Sequence, residues 1–282
     1  MDKQTDWFHA QYSETAHLSL RIKEHLYSTR SPYQKIDVFD SYDFGRVLVL
    51  DDIINVTERD EYIYHEMLTH VPLFVQPEPK SVLVVGGGDG GVIREVMKHS
   101  CVERALMIEI DAAVIEAAKQ YFPAVSCGLH DSRVEVITAD ASAYIAHTKQ
   151  AYDVIIVDST DPIGAGLRLF THDFYNNCLE ALTADGVLTA QSESPFFDLD
   201  IVQRLYATAR DIFPFVTMYI AFMPSYVSGI WSFLFCSRGT DPVRHFQHER
   251  YHHSGITANY YNQNIHTSAF TLPTFIKKQF NL

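Results

Sequence analysis

Basic residues are scarce in this 282-residue chain, where 22 Lys and Arg stand against 35 Asp and Glu for a formal charge of -13. A surplus of that sign repels phosphate backbones and attracts cations, which makes nucleic acid a poor partner and suits a cationic small molecule. Cysteine is sparse as well. Cys101, Cys127, Cys178 and Cys236 lie far apart and form no C-x-x-C pair, so neither a zinc ribbon nor a redox dithiol is indicated, and all four read as buried thiols in a reducing compartment. No run approaches the roughly 18 apolar residues of a membrane span, and Met1 to Trp7 lack an apolar signal core. These absences predict a cytosolic protein without a membrane partner. Internal repeats and low-complexity stretches are also missing, and the length suits one large α/β unit or a catalytic domain with a small appendage.

What is present falls into two rhythms. Before residue 60, short β-rich runs at Ile36 to Phe39, Val47 to Leu50 and Ile53 to Val56 are separated by turn-forming residues, which predicts a small antiparallel domain over 1–58. Thr57 with Asp60 resembles a capping box with a shortened acid, and Ile63, Met67, Leu68 and Val71 predict a helix over about 60–72 whose polar face could reach a cleft. From Ser81 onward, apolar strands near 82–85, 105–108, 134–137, 154–157 and 187–190 alternate with helices near 92–97, 114–122 and 172–182. A further helix near 198–211 and strands at 216–222 and 231–236 follow. This is the pattern of a parallel, Rossmann-like sheet covered on both faces, assigned to 59–282.

Gly86-Gly87-Gly88-Asp89-Gly90-Gly91 directly follows the first of these strands and precedes a helix, where glycines allow a tight turn and close approach of a ligand. No Gly-Lys-Ser or Gly-Lys-Thr follows, and Asp89 would repel a pyrophosphate, so the loop suits a ligand carrying an amine or sulfonium. Glu109 ends the next strand, where a carboxylate can accept both ribose hydroxyls. Asp140, after the third, is placed either to meet an adenine amino group or to cap the helix beginning near Ser142. In an open α/β sheet such strand ends share one crevice, so Asp89, Glu109 and Asp140 describe an adenosyl site without a phosphate clamp. The fourth strand delivers Asp158 and Asp161 in Asp158-Ser159-Thr160-Asp161-Pro162-Ile163-Gly164, a carboxylate pair suited to a cation or a proton transfer.

At these residues the sequence resembles the polyamine aminopropyltransferase family, the spermidine synthases. The matching stretches are Tyr33-Gln34, Thr57 to Glu61, Tyr64 to Met67, the loop Gly86 to Gly91 with Arg94-Glu95, Glu109 to Asp111, Asp158 to Gly164 and Pro224-Ser225-Tyr226. Ile265-His266-Thr267, Ala269-Phe270 and Leu272-Pro273 continue the likeness to the C-terminus. The resemblance implies a small N-terminal β domain before a methyltransferase-like domain, assembled as a homodimer or homotetramer. It implies transfer of the aminopropyl arm of decarboxylated S-adenosylmethionine to putrescine, giving spermidine and 5'-methylthioadenosine, with no tightly bound cofactor and no metal. By the same resemblance Gln34, His65, Asp89, Glu109, Asp140, Ala141 and the glycines Gly86, Gly87 and Gly88 bind the nucleoside. Tyr64, His65, Asp158, Asp161, Ala165, Gln191 and Tyr226 surround the diamine, and Asp158, Tyr64 and Asp161 carry the chemistry. The chain departs from the family with Ala165 for Pro, Asp52 for Gly, Ala139-Asp140-Ala141 for a Gly-ended acidic string and Ser225 for Thr.

A sulfonium makes its attached carbon electrophilic and leaves as a neutral thioether, so the missing element is a neutral amine. An ordinary Asp, near pKa 3.9, is a poor acceptor for the proton of an alkylammonium near 10.4. Proton loss coupled to attack and desolvation of the amine both remain open here. The loop from Ser159 to about Phe170, with Gly164 and Gly166, reads as a closing lid. A methyltransferase using intact S-adenosylmethionine and a noncatalytic binder are the rival readings. His65 and His70 are five apart rather than four, which places them on different helix faces and argues against a shared metal. His252-His253 reads as surface, and Phe213, Phe215, Tyr219 and Phe222 read as core packing.

Overall fold

The computed structural model describes residues 7–12, 15–160 and 164–280, with the side chains of 164 and 165 outside the description. Asp161 and the side chain of Ala165 therefore lie outside the described residues.

Five strands, β1 (Trp7–Gln11), β2 (His17–Arg30), β3 (Lys35–Ser41), β4 (Arg46–Leu50) and β5 (Ile53–Thr57), form an antiparallel meander in chain order. The last three match the expected runs. β1 and the fourteen-residue β2 were not anticipated, although Leu18, Leu20 and Ile22 alternate as a strand requires. One face of this sheet, with Ile36, Val38, Leu48 and Val56, packs on Val114, Ala117 and Phe122 of the region that follows.

The long connector α1 (Glu61–Leu73) begins where helical spacing predicts, but its start is not a capping box. Asp60 is the N-cap residue and makes no side-chain cap bond. Its carboxylate instead accepts the Thr57 hydroxyl at 2.6 Å and the Ser225 amide at 2.8 Å, tying the helix entrance to a distant loop. The helix is buried nearly all round, so its polar residues must find protein partners.

β6 (Ser81–Gly86), α2 (Gly91–Met97), β7 (Arg104–Glu109), α3 (Ala112–Tyr121), β8 (Val134–Thr138), α4 (Ala141–Ile145), β9 (Tyr152–Asp158), α5 (His172–Ala181), β10 (Leu182–Gln191), α6 (Leu199–Ile212), β11 (Phe215–Phe222) and β12 (Ile230–Ser237) build the second sheet. Its order is β11-β12-β10-β9-β6-β7-β8. The five strands from β8 to β10 are parallel, and β12 and β11 add antiparallel. Both faces are covered: Val82 and Val84 point into one core with α1 and α2, while Leu83 and Val85 point into the other with α5 and α6. β8 is the exception to the expected buried strands, because it is an edge and is half exposed. Three short helices, α7 (His248–His253), α8 (Gln263–Ala269) and α9 (Thr274–Phe280), close the chain. Glu66 of α1 anchors the segment before α8 by accepting the amides of Asn259, Tyr260 and Tyr261 at 2.7–2.8 Å.

Two minor expectations change. Cys178 and Cys236 are buried, but Cys101 is half-buried in a turn and Cys127 is exposed in a short 3-10 helix. Tyr219 and Phe213 are core residues, whereas Phe222 ends β11 with its ring exposed. No helix of the described residues is long and apolar enough to cross a membrane.

Candidate active site

Strand order reverses around β6, with β7 and β8 on one side and β9 and β10 on the other, so a crevice opens at the carboxyl ends of β6 and β9. Gly86 pairs with Asp158 across it, and the Gly87 amide donates to the Asp158 carbonyl at 2.9 Å. Gly86 has a φ of 79°, and a Cβ there would collide with that carbonyl, so the turn requires glycine. A cavity of about 480 Å³ occupies the crevice. Gln34, Tyr64, His65, Gly86, Gly87, Gly88, Asp89, Glu109, Asp140, Ala141, Asp158, Gln191 and Tyr226 all line it. Every predicted site residue with a described side chain is thus brought to one cavity.

At its floor, Tyr64 donates its hydroxyl to Asp158 Oδ1 at 2.7 Å, while Oδ2 is buried without a partner. That free oxygen lies beside Gly87, where a Cβ would stand 2.9 Å from it. Burial, and then the Asp89 charge, push the Asp158 carboxyl up to about 7, with His65 and the Tyr64 hydroxyl opposing. An ordinary aspartate would be a poor proton acceptor, and these surroundings make Asp158 a better one. Burial and the Asp158 charge raise the Tyr64 phenol far above its usual value, so it stays a donor.

His65 sits between two carboxylates, with Nδ1 2.5 Å from Glu61 and Nε2 3.2 Å from Asp89. Burial works against charging the ring, but Asp89 and Glu61 overcome it and hold the imidazole well above its ordinary pKa. Asp89, despite its burial, is held low by His65 and by the Gly91 amide, which donates at 2.7 Å. His65, Asp89 and Asp158 present polar atoms within 4.8 Å of one another, a spacing that could serve a metal ion. Both His65 nitrogens face carboxylates, and the same spacing suits an ammonium group.

The nucleoside side is less free than the sequence suggests. Glu109 Oε1 accepts the Asp111 amide at 2.9 Å, and burial pushes this carboxyl up to about 7, with the Asp111 and Asp158 charges adding to it. Gln34 donates its side-chain amide to Asp111 at 3.0 Å, which joins the N-terminal sheet to the crevice. Asp140 is the N-cap of α4, accepting from Ser142 and Ala143, and its other oxygen holds Arg168. The capping alternative is realised while the residue still lines the cavity. At the far end, Gln191 donates to Glu193 and to the Ser159 carbonyl, and the Tyr226 hydroxyl donates to the Asn55 carbonyl. The segment Gly164–Phe170 is a 3-10 helix from which Gly166 and Leu169 reach the cavity.

Sequence reasoning assigned no role to Glu61, Arg94, Asn55 or Glu193. For Glu61 a signal existed, since it precedes His65 by one helical turn and so shares its face. The others are brought in by tertiary contacts across distant segments.

Carboxylates at successive strand ends, with no lysine among the described lining residues and a raised carboxyl at Asp158 beside them, fit a nucleoside-dependent group transferase. Comparison with known proteins narrows that class. Residues 61–247 match the spermine/spermidine synthase domain and residues 6–58 match the spermidine synthase tetramerisation domain. The chain belongs to the spermine/spermidine synthase family. A polyamine aminopropyltransferase of Thermotoga petrophila is 44% identical over 278 residues, covering 98% of this chain and 94% of that protein. One from a Thermoanaerobacter species is 45% identical over 275 residues, covering 98% of each. A crystal structure of spermidine synthase in complex with the transition state analogue AdoDATO matches with a TM-score of 0.97 at 43% identity, over 99% of this chain and 96% of that one. Spermidine synthase from Thermotoga maritima matches with a TM-score of 0.94 at 42% identity, over 99% and 95%.

Proposed function

We propose that this protein transfers the aminopropyl group of decarboxylated S-adenosylmethionine to putrescine, releasing spermidine and 5'-methylthioadenosine. The observation that carries the reading is the buried, unpartnered Oδ2 of Asp158 in the cavity that also holds Asp89 and Glu109. Family membership and the likeness to an analogue-bound spermidine synthase support the substrate assignment.

Glu109 takes the ribose hydroxyls, and Gln34, Asp140, Ala141 and the backbone of Gly86, Gly87 and Gly88 frame the nucleoside. Asp89, kept ionised by His65, takes the ammonium of the aminopropyl arm. Tyr64 fixes Oδ1 of Asp158 so that Oδ2 faces the attacking nitrogen. The nitrogen lone pair forms a bond to the carbon next to sulfur, the C–S pair moves onto sulfur, and the nitrogen's proton passes to Asp158. Alignment of the two substrates supplies much of the rate, and the product carbon is inverted. The base makes the proton step tractable. Transfer from an alkylammonium costs about 9 kcal/mol to an ordinary Asp but only about 5 kcal/mol to one near 7. Gln191 and Tyr226 complete the diamine subsite, with Gln191 toward the amine that stays charged; Asp161 and Ala165 are assigned to the same subsite by the family resemblance alone.

The reading extends to a division at residue 58, supported by the two sheets and the two family matches, and to a cytosolic homodimer or homotetramer, supported by the tetramerisation-domain match. Incubating the protein with putrescine and either the decarboxylated or the intact cosubstrate, and weighing the products, tests it. Spermidine and methylthioadenosine in equal amounts are expected from the decarboxylated donor alone; methylated putrescine would make the protein a methyltransferase instead.

A further inference from the structure

The acceptor pocket is connected to a largely buried network of acidic and basic side chains. Beyond His65, Glu61 receives Arg94 through two parallel bonds, Nη1 to Oε1 and Nη2 to Oε2, each 2.8 Å. Arg94 Nε donates to Glu95 at 2.8 Å, and the other Glu95 oxygen meets Lys98 at 2.6 Å and His70 at 3.0 Å. His70 in turn lies 2.9 Å from His99. Glu61, His65 and His70 come from α1 and Arg94, Glu95 and Lys98 from α2 or its end, so the packing of these helices assembles the network.

Groups from several elements face His65, and Asp89 and Glu61 are the ones that raise its pKa. From α1 come Glu61 on Nδ1 and the Tyr64 ring at 5.5 Å; from the loop after β6 comes Asp89 on Nε2; from the end of β9 comes Asp158. Arg94 from α2 reaches the ring only through Glu61. A ring whose two nitrogens each face a carboxylate must donate from both, which only the protonated form can do. Gly91 completes the seat, because a Cβ there would overlap the imidazole. Against its burial, His65 and then Arg94 hold the Glu61 carboxyl below the ordinary range, and the bidentate fork fixes its plane.

We propose that Glu61 and Arg94 are positioning residues that hold His65 as an imidazolium between Glu61 and Asp89, and that this buried cation sets the charge of the acceptor pocket. The inference rests on the aminopropyl-transfer reading for its kinetic consequence but not for the state of the ring. With the cation in place, Asp89 remains an anion beside Asp158, and the mutual repulsion of the two carboxylates is offset. Without it, Asp158 binds its proton more tightly and the free base is present only at higher pH.

Protein labelled with nitrogen-15 in histidine tests the ring directly, the His65 resonances being assigned by their loss in His65→Asn. In the wild-type protein both ring nitrogens should carry hydrogen at pH 8. In Glu61→Gln the titration midpoint should fall by at least about one pH unit, and Arg94→Lys, which keeps the charge but loses the fork, should fall between. The acid limb of kcat/KM should move to higher pH in Glu61→Gln, a change that loosened packing alone does not produce. A wild-type His65 that is neutral at pH 7 overturns the proposal, as does an unchanged midpoint in both variants. Because the spectrum needs no turnover, a protein that transfers no aminopropyl group but shows the charged ring would refute the function and leave this assignment standing.

Discussion

Asp158 and Glu109 are buried in one cavity and are both raised to about 7, yet the same physical shift serves different ends. For Asp158, held by Tyr64 on one oxygen and open on the other, a raised pKa makes a base able to take a proton near neutral pH. For Glu109, proposed to accept ribose hydroxyls, the raised pKa is a linkage. Hydroxyl donors favour the carboxylate, so binding lowers its pKa from about 7 and releases a proton. Affinity should therefore increase as pH rises through 7. Calorimetric titration with neutral methylthioadenosine should give a dissociation constant roughly tenfold smaller at pH 8 than at pH 6, with proton release seen by changing the buffer's ionisation heat. Glu109→Gln should bind weakly and lose that slope; a wild-type affinity independent of pH would remove Glu109 from the ribose site.

At the scale of elements, the hairpin between β4 and β5 makes the departure at residue 52 physically meaningful. Asp51 and Asp52 have φ values of 45° and 65°, the left-handed turn in which glycine is least strained. Asp52 pairs with Lys35 at 3.3 Å but is mostly exposed, so the pair contributes little. Asp52→Gly should therefore raise unfolding stability, by up to about 1 kcal/mol in a urea titration. A loss of that size would mean the Lys35 pair outweighs the backbone strain. The parallel strands and their helices were legible because apolar runs such as Val82 to Val85 and turn residues such as Gly86 are local signals. The glycine loop and the acids at strand ends were legible for the same reason, since position along a strand fixes the edge at which a side chain emerges. β2 escaped because its outer half is exposed and its apolar alternation breaks at His25-Leu26-Tyr27. The Glu61 and Arg94 network escaped because it depends on how α1 packs against α2, and the high pKa of Asp158 because it depends on burial that no spacing reveals.

Over the whole molecule, the formal charge of -13 gives the acidic crevice a long-range partner in its cationic substrates. Both the sulfonium donor and a diamine are drawn toward such a surface, and salt screens that attraction before contact. kcat/KM for putrescine should fall severalfold between about 0.05 and 0.5 M ionic strength while kcat changes little. A kcat that fell in parallel would place the salt effect on the chemistry rather than on encounter. The two sheets meet at the same crevice, since Gln34 from the first holds Asp111, whose amide in turn holds Glu109 on the second. In the proposed reaction Asp158 draws the proton from an amine that the same pocket has aligned against the nucleoside. The most direct test of this step is Asp158→Asn, assayed for methylthioadenosine release at saturating donor and putrescine beside calorimetry of methylthioadenosine binding. The account predicts a turnover reduced by at least about a hundredfold with nucleoside affinity held within about threefold; turnover close to that of the unaltered protein would contradict it.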